Sequence, residues 1–476
     1  MAGAAFFDLD RTLLPGGTGV VLSRAMRELG VIERALPGEG ALYAVFETLG
    51  ETLPSIALAR QATRVAKGRA ADAFDAAAEA AAEVILGLVH PFARALVEQH
   101  REAGRLVVLA TTTPEHLVRP LAERLGFDDV IATRYAVDDG RFTGALTGRF
   151  VWSRGKLAAV EEYAEEHGLS LAESYAYSDS VYDAPLLGAV GHPAAVNPDP
   201  RLLVLALVRR WPVVNLDVSP GVVKIPLVGV ELQRLLLLAA GPEMFPYARF
   251  DVQGTENIPP TGPAILVSNH RSYFDVAALI QTVRPTGRTG RILGKKEVFD
   301  LPVVGALATA LGGIRVDRGV SGAQSFEQAA AALAGGELVA LLPQGTIPRG
   351  EAFFDPVLRG HTGAARLAAL TRAPVIPMGI WGSERVWPRS SPLPNLLALA
   401  HPPLVTIRVG EPVELRYRSA VADTRRIMDA ITGCLPAQAR ERHTPSEEEL
   451  RRTFPGGRGP ARAVAPAGRA LSGDVH

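Results

Sequence analysis

The sequence has almost no cysteine, no excess of either charge and no long uninterrupted apolar run. Cys434 is the only cysteine, which excludes an intrachain disulfide and a cysteine metal cluster and is typical of a reducing compartment. Lys and Arg total 50 and Asp and Glu total 50, so the composition does not favour bulk nucleic-acid binding. No basic and apolar leader precedes the first apolar run, so we expect a cytoplasmic protein without a signal peptide.

The chain is long enough for two substantial domains. It has 476 residues, of which 47% are hydrophobic and 21% charged, and this composition fits a globular protein with large cores. Short apolar runs at 4–7, 105–110 and 174–177 end in polar residues and alternate with helical segments. That alternation predicts an α/β fold whose N-terminal domain has a Rossmann-like parallel sheet.

Changes in composition along the chain predict the domain boundaries. The predicted parts are a first domain over 1–213 with a helical cap at about 15–90, a linker over 214–246, a second α/β domain over 247–440, and a disordered tail over 441–476. Within the linker, residues 221–240 are apolar but interrupted by four polar side chains. This amphipathic pattern is compatible with a helix that lies on a membrane surface and equally with a helix that faces the second domain's core.

Polar side chains suited to phosphate chemistry follow the ends of successive predicted strands. Asp8 and Asp10 stand two apart after an apolar strand, so both side chains point the same way and can attract a hard cation. Such a pair is a weak indication by itself, because acidic residues at strand ends are often only solvated. Its companions are a hydroxyl, a lysine and a second acidic pair, namely Thr111, Lys156, and Asp179 with Asp183.

This ordered set resembles the four motifs of the haloacid dehalogenase superfamily. The helical cap between the first two motifs is similar to that of the branch related to phosphoserine phosphatases. The resemblance implies that Asp8 is a nucleophile forming an aspartyl-phosphate and that Asp10 acts as acid and then base. It further implies an Mg²⁺ site formed by Asp8, Asp10, Asp179 and Asp183, with the ion on Asp8 and Asp179, and phosphate contacts from Thr111 and Lys156.

The substrate of this first site stays open. Relatives in that branch usually have glycines after the second-motif hydroxyl, whereas this chain has Thr112, Thr113 and Pro114. We therefore expect a small phosphate ester other than phosphoserine.

A second reactive site is predicted at the end of the apolar run 263–269. His270 ends this run, and Asp275 lies in the first turn of the helix expected to follow. A carboxylate that accepts from one imidazole nitrogen leaves the other free to take a proton from a hydroxyl. An isolated pair with this spacing is more often a satisfied histidine at a strand end. Three further segments support a catalytic role: GGIRVDRG, LLPQGTIPRG and VIPMGI.

Together with NHRSYFD, these segments resemble the four blocks of the glycerophosphate acyltransferase family, especially its 1-acylglycerol-3-phosphate acyltransferases. The resemblance implies that His270 is the general base, that Asp275 orients it, and that Arg318 binds the acceptor phosphate. It implies acyl-CoA or acyl-carrier-protein as the acyl donor. The other residues expected to bind substrate are Gly313, Gln344, Gly345, Thr346 and Arg349.

The third block departs from the family pattern at two positions. The family usually has glutamate at the position of Gln344 and arginine directly after the threonine, where this chain has Ile347. Arg349 lies two residues further on and can restore a phosphate contact. The apolar segment 301–313 suits either an acyl-chain groove or a plain core helix.

The sequence therefore predicts a bifunctional enzyme of phospholipid biosynthesis. Its expected partners are a lysophospholipid, an acyl thioester, a small phosphate ester and the cytosolic membrane face, where we expect peripheral association, and nucleic acid is not among them. The main alternative is an acyltransferase whose phosphatase-like domain serves only as a binding or docking module.

Overall fold

The computed structural model describes residues 2–32, 53–225, 229–316 and 322–458. The chain forms two compact units, Met1–Leu232 and Gln233–His476. The first unit contains strands β1 (Ala4–Phe7), β2 (Leu106–Pro114), β3 (Asp129–Thr133), β4 (Tyr135–Asp138), β5 (Arg141–Leu146), β6 (Tyr175–Ser178), β7 (His192–Val196) and β8 (Val213–Val214). Its helices are Gly19–Glu28, Leu53–Ala66, Ala71–Leu86, Ala93–Glu102, Glu115–Leu125, Arg154–Glu166, Ala184–Ala189 and Pro200–Arg209.

A six-stranded parallel sheet forms the centre of the first unit, in the order β3-β2-β1-β6-β7-β8. All four residues of β1 are buried, as expected for a central strand covered on both faces. This confirms the predicted Rossmann-like parallel sheet. The carboxyl ends of β1, β2 and β6 lie at one edge, where such sheets bind ligands.

Helices between β1 and β2 occupy the region predicted as a cap. In Ala71–Leu86 the buried residues Phe74, Ala77, Ala78, Ala81, Ala82 and Ile85 recur at helical spacing. This face is mostly alanine, so the helix can pack closely against Glu115–Leu125. The antiparallel hairpin of β4 and β5 packs beside the helix Leu53–Ala66. Residues 33–52 of the predicted cap lie outside the described residues.

The second unit contains strands β9 (Arg249–Gln253), β10 (Ala264–Ser268), β11 (Gly290–Lys295), β12 (Ile314–Val316), β13 (Leu338–Leu341), β14 (Val375–Trp381) and β15 (Leu404–Val409). They form one sheet in the order β12-β11-β13-β10-β14-β15-β9, in which only the β14–β15 pair is antiparallel. The helices are Leu232–Ala239, Asp275–Val283, Lys296–Phe299, Pro302–Ala310, Gly322–Ala334, Gly363–Thr371, Ser383–Val386, Ala420–Gly433 and Glu447–Arg452.

Side chains of β10 alternate between two apolar layers, as the period of a strand requires. Ala264 and Leu266 pack with the helix Asp275–Val283, whereas Ile265 and Val267 pack with helices on the opposite face. The second unit is therefore a helix–sheet–helix sandwich, which confirms the predicted C-terminal α/β domain.

The segment predicted as a linker is divided between the two units at Leu232. Its helix Leu232–Ala239 has Leu237 buried, and Gln233 Nε2 donates to the carbonyl oxygen of Gly290 at 2.8 Å. Leu236 and Leu238 are exposed. This helix thus has a packed face and an apolar exposed face. Among the described residues, no helix combines the length and apolar character needed to span a membrane.

The prediction of a disordered tail from 441 is wrong for residues 441–458. Ser446 and Glu449 form a reciprocal capping box that starts the helix Glu447–Arg452. Thr453 Oγ1 accepts from the backbone N–H of Gly350 at 2.8 Å, which ties the segment to the unit. The segment 301–313, expected to line an acyl-chain groove or to form a plain core helix, contains the helix Pro302–Ala310. Leu307 of this helix is exposed.

Candidate functional sites

Lys156 joins two carboxylates at the carboxyl edge of the first sheet. Its Nζ lies 2.9 Å from Asp8 Oδ1 and 2.6 Å from Asp183 Oδ2, and Lys156 itself is only 1% exposed. Ser178 Oγ also donates to Asp183 Oδ2, at 2.8 Å. Asp183 is therefore a partner of the lysine in this structure, although its buried Oδ1 has no hydrogen-bond partner. Two carboxylates thus hold the buried amino group of Lys156 close to Asp8.

A threonine that the sequence analysis missed connects Asp8 to Asp179. Thr12 Oγ1 lies 3.2 Å from Asp8 Oδ2 and 3.3 Å from Asp179 Oδ1, and it accepts from the backbone N–H of Asp179 at 3.0 Å. Arg11 Nε contacts Asp179 Oδ2 at 3.0 Å. Asp8 and Asp179 are thus close together at the ends of β1 and β6, and Arg11 offsets part of their negative charge.

Asp10 lies in a pocket of hydroxyls and backbone donors. The backbone N–H of Thr18 donates to Asp10 Oδ1 at 2.6 Å, and Thr113 Oγ1 donates to Asp10 Oδ2 at 3.2 Å. Burial raises the pKa of Asp10, while the hydrogen bonds from Thr18 and Thr113 act in the opposite direction. Thr111 is buried, and its Oγ1 accepts from the backbone N–H of Thr113 at 3.2 Å. The structure therefore brings all six predicted residues of this site to one sheet edge.

His270 and Asp275 form the hydrogen bond that the second site requires. His270 Nδ1 lies 2.8 Å from Asp275 Oδ2, which also accepts from the backbone N–H groups of Arg271 at 2.7 Å and Ser272 at 3.0 Å. Ser383 Oγ donates to Asp275 Oδ1 at 2.6 Å. Asp275 is 0% exposed, and three donors besides the imidazole hold this buried carboxylate in place. With Nδ1 donating to this carboxylate, Nε2 is left free to accept a proton.

Gln344 lies against the catalytic loop despite its departure from the family pattern. Its Oε1 accepts from the backbone N–H of His270 at 2.7 Å, so the neutral amide supplies an acceptor to this loop. Gly345, next in the chain, has a φ of 68°, the left-handed region that glycine adopts without steric strain. Thr346 follows half-buried, and Ile347 is 3% exposed.

The other predicted residues of the second site that remain to be located are Gly313, Arg349 and Arg318. A Cβ at Gly313 would lie 2.9 Å from the Cζ atom of Phe299, so close packing is a sufficient reason for glycine there. Arg349 is exposed. Arg318 lies outside the described residues.

Sequence reasoning missed several buried polar residues around the second site. Asn269 Nδ2 donates to the carbonyl oxygen of Ile380 at 2.9 Å, and its Oδ1 accepts from the Ile380 N–H at 2.8 Å. Arg271 stacks between the rings of Phe353 and Trp381, with its Cζ 4.2 and 4.1 Å from the ring centroids. Because these contacts join segments far apart in the chain, the only signal in the sequence was that Asn269 and Arg271 lie directly before and after His270.

Family comparisons match both halves of the chain. The haloacid dehalogenase-like hydrolase model matches residues 5–188, and the acyltransferase model matches residues 249–381. These matches confirm the two resemblances inferred from the motifs.

Two curated relatives and one solved structure are similar to parts of the chain. The "Inhibition of morphological differentiation protein" of Streptomyces azureus is 36% identical over 217 residues, which are 44% of this chain and 78% of the relative. "Phosphoserine phosphatase SerB1" of Mycobacterium tuberculosis is 37% identical over 218 residues, 44% of this chain and 70% of the relative. The 1-acyl-sn-glycerophosphate acyltransferase PlsC of Thermotoga maritima is 23% identical with a TM-score of 0.32, covering 42% of this chain and 78% of that protein.

The two reactive sites belong to different units, since the first is built from residues before Leu232 and the second from residues after it. The first has the acidic residues and lysine of a phosphatase, and the second has the hydrogen-bonded histidine–aspartate pair of an acyltransferase, in which the aspartate is buried. The chain therefore belongs to the haloacid dehalogenase-like hydrolases and joins this phosphatase-type domain to a second enzyme domain of the acyltransferase family.

Proposed function

We propose that the second unit transfers an acyl group from acyl-CoA or acyl-carrier-protein to 1-acylglycerol 3-phosphate or a related lysophospholipid. The observation that carries this proposal is the 2.8 Å contact between His270 Nδ1 and the buried Asp275. His270 Nε2 takes the proton of the acceptor hydroxyl as its oxygen attacks the thioester carbonyl. The carbon–sulfur bond then breaks, and the imidazolium returns the proton to the leaving thiolate.

The first unit hydrolyses a phosphomonoester through an aspartyl-phosphate on Asp8. The Asp8 carboxylate attacks phosphorus while Asp10 protonates the leaving ester oxygen, and Asp10 then accepts a proton from the water that cleaves the acyl phosphate. Lys156 offsets charge beside Asp8, at 2.9 Å. The raised pKa of Asp10 supports its role as an acid in the first step.

The donor set of this site suits a hard divalent cation such as Mg²⁺. Asp8 and Asp179 offer carboxylate oxygens on either side of Thr12 Oγ1. The part of the chain that the structure describes contains no group of three His, Cys, Asp or Glu side chains arranged to hold a metal. These two carboxylates would therefore hold the ion with backbone, water or substrate oxygens as further ligands, an arrangement common for Mg²⁺. When bound, it would withdraw negative charge from the phosphate.

A cavity of about 420 Å³ in the first unit indicates the chemical class of the phosphate ester. Thr18, whose backbone N–H binds Asp10, is one of its lining residues. The other described lining residues are uncharged and include Leu14, Val20, Val21, Ile85 and Leu88. An apolar chain fits this lining better than the ammonium and carboxylate of phosphoserine, which would lose hydration without a counter-charge. We therefore favour an ester with an apolar chain, as in phosphatidate.

The two activities together would convert lysophosphatidate to diacylglycerol. The test supplies the full chain with radiolabelled lysophosphatidate, acyl-CoA and Mg²⁺, and follows labelled lipids and released phosphate. We expect phosphatidate to form first and diacylglycerol after it, and Asp8→Asn to stop at phosphatidate. Phosphatidate without any phosphate release from the native chain would contradict the coupled scheme. Loss of hydrolysis across a broad panel of phosphate esters would instead favour a docking role for the first unit.

A lipid acceptor requires access to a membrane surface, and one exposed loop of the second unit is suited to it. Leu397 is 90% exposed and Leu399 is 59% exposed. The loop follows Trp387, whose carbonyl oxygen accepts from Ser272 Oγ at 2.6 Å, and this bond ties the loop's start to the loop of His270. Exposed leucines on a loop whose start is bonded to the loop of His270 favour peripheral binding to the cytosolic membrane face.

A further inference from the structure

Arg389 is a buried arginine of the second unit that lies outside the sequence blocks. It is 8% exposed, and it follows the short helix Ser383–Val386. Its Nη1 donates to the carbonyl oxygen of Ile347, and its guanidinium is also hydrogen-bonded with the side chain of Tyr273. Arg389 therefore connects the third sequence block to the loop that carries His270.

The charge of Arg389 has no carboxylate partner among the described residues. Its buried Nε has no hydrogen-bond partner. Burial, and after it the like charge of Arg349, lowers the pKa of Arg389. Burying a cation without a counter-charge is unfavourable, so a bound anion would stabilise the charges of Arg389 and Arg349.

We propose that Arg389, with Arg349, binds the phosphate of the acyl acceptor and replaces the arginine that the third block lacks at Ile347. The anchoring bond from Nη1 to the Ile347 carbonyl places the guanidinium beside the residue where the family carries its own arginine. Nε has no partner within the protein, and paired N–H groups of a guanidinium match two oxygens of a phosphate.

The position of Arg389 also suits the reaction. Ile347 lies three residues after Gln344, whose Oε1 accepts from the backbone N–H of His270 at 2.7 Å. One loop thus contacts both the base and the anion-binding arginine. An acceptor whose phosphate is held at Arg389 is bound by a loop that also contacts the backbone of His270, and such restriction of the bound geometry favours reaction. This inference rests on the acyl transfer proposed above.

The experiment measures acyl transfer by the full chain with lysophosphatidate and acyl-CoA as varied substrates. Arg389→Gln should raise the KM for lysophosphatidate about 10- to 100-fold, with kcat and the KM for acyl-CoA unchanged, because a hydrogen-bonded charge is lost from acceptor binding alone. Arg389→Lys keeps the charge without the planar fork and should give an intermediate KM. Arg349→Gln should raise the KM about 3- to 10-fold, since an exposed cation contributes less.

The matched control is Arg385→Gln, which removes an exposed arginine four residues earlier and should leave all constants unchanged. An unchanged KM for lysophosphatidate in Arg389→Gln would overturn the inference, as would a parallel loss of kcat and of acyl-CoA affinity, which indicates structural damage. If Arg389→Gln does not fold, Arg349→Gln decides, and an unchanged KM there overturns the proposal.

A binding experiment distinguishes failure of the proposed acyl transfer from failure of the anion site. If the native chain does not acylate lysophosphatidate, the affinity of His270→Ala for lysophosphatidate is compared with that of the His270→Ala, Arg389→Gln double variant. Any lysophosphatidate bound by the first unit contributes equally to the affinities measured for the two proteins. A 10-fold or greater loss in the double variant supports the anion site, and equal affinities refute it.

Discussion

Replacement of Asp275 by asparagine isolates the contribution of a single negative charge to acyl transfer. Asp275 Oδ2 accepts from three N–H groups, whereas Oδ1 accepts only from the hydroxyl of Ser383. An asparagine can place its carbonyl oxygen at the Oδ2 position and its NH₂ group against Ser383 Oγ, because a hydroxyl also accepts. The fold and the Nδ1–H tautomer of His270 should therefore survive in Asp275→Asn.

The expected loss comes from the imidazolium that forms as His270 takes the proton. Two opposite charges about 4 Å apart interact by about 4 kcal/mol at an effective dielectric constant of about 20. Loss of this attraction in the transition state corresponds to a fall in kcat of about 10²- to 10³-fold. Asp275→Ala should cost more, because it also removes the acceptor for two backbone N–H groups and frees the imidazole to change tautomer.

The assay is steady-state acyl transfer by the full chain, with phosphate-ester hydrolysis measured on the same preparation. Hydrolysis should be unchanged, because every residue of the first site lies before Leu232. A loss of less than tenfold in kcat for Asp275→Asn would refute the charge argument. An equal loss for the asparagine and alanine variants would show that asparagine does not preserve the hydrogen bonds.

Three further predictions concern stability and membrane binding. Lys156→Met leaves buried carboxylates without their cation and should lower the free energy of unfolding of the first unit by about 3–5 kcal/mol in urea titrations, with hydrolysis abolished. Burial is the main cause that lowers the pKa of His100 to about 4 from 6.5. The unfolded chain takes up this proton first as the pH falls, so stability present above pH 6.5 should decline by roughly 3 kcal/mol towards pH 4, and less steeply in His100→Phe. The double change Leu397→Ser, Leu399→Ser should weaken binding to anionic lipid vesicles about 10- to 100-fold in sedimentation, whereas Leu370→Ser, at a leucine that is 63% exposed, should not.

Residues next to strand ends were predictable from the sequence. The apolar runs at 4–7 and 174–177 correspond to β1 and β6, so the positions of Asp8 and Asp179 followed from the carboxyl ends of parallel strands. His270 and Asp275 followed for the same reason, because their spacing spans the turn from β10 into a helix. Local periodicity carries this information.

Contacts between distant segments were not predictable. Ser383 lies 108 residues from Asp275, and Arg389 lies 42 residues from Ile347. Serine and arginine occur at many exposed positions, and no local pattern distinguishes the few that become buried partners. Likewise, Gln344 could be recognised as a departure from a family pattern, but its bond to the His270 backbone required the three-dimensional arrangement of two strand-end loops.

The side chain of Asn269 acts as a substitute peptide group. Its amide repeats the donor–acceptor pair of a backbone unit and binds both polar groups of Ile380, so β10 in effect pairs with β14 beyond its own last residue. Only an uncharged amide of this length satisfies both partners: aspartate would oppose the Ile380 carbonyl oxygen with a second acceptor, and alanine would leave a buried donor and acceptor unpaired. Position 269 should therefore be among the least substitutable in the second domain, although it takes no part in the chemistry, because it determines where the strand stops and the reactive loop begins.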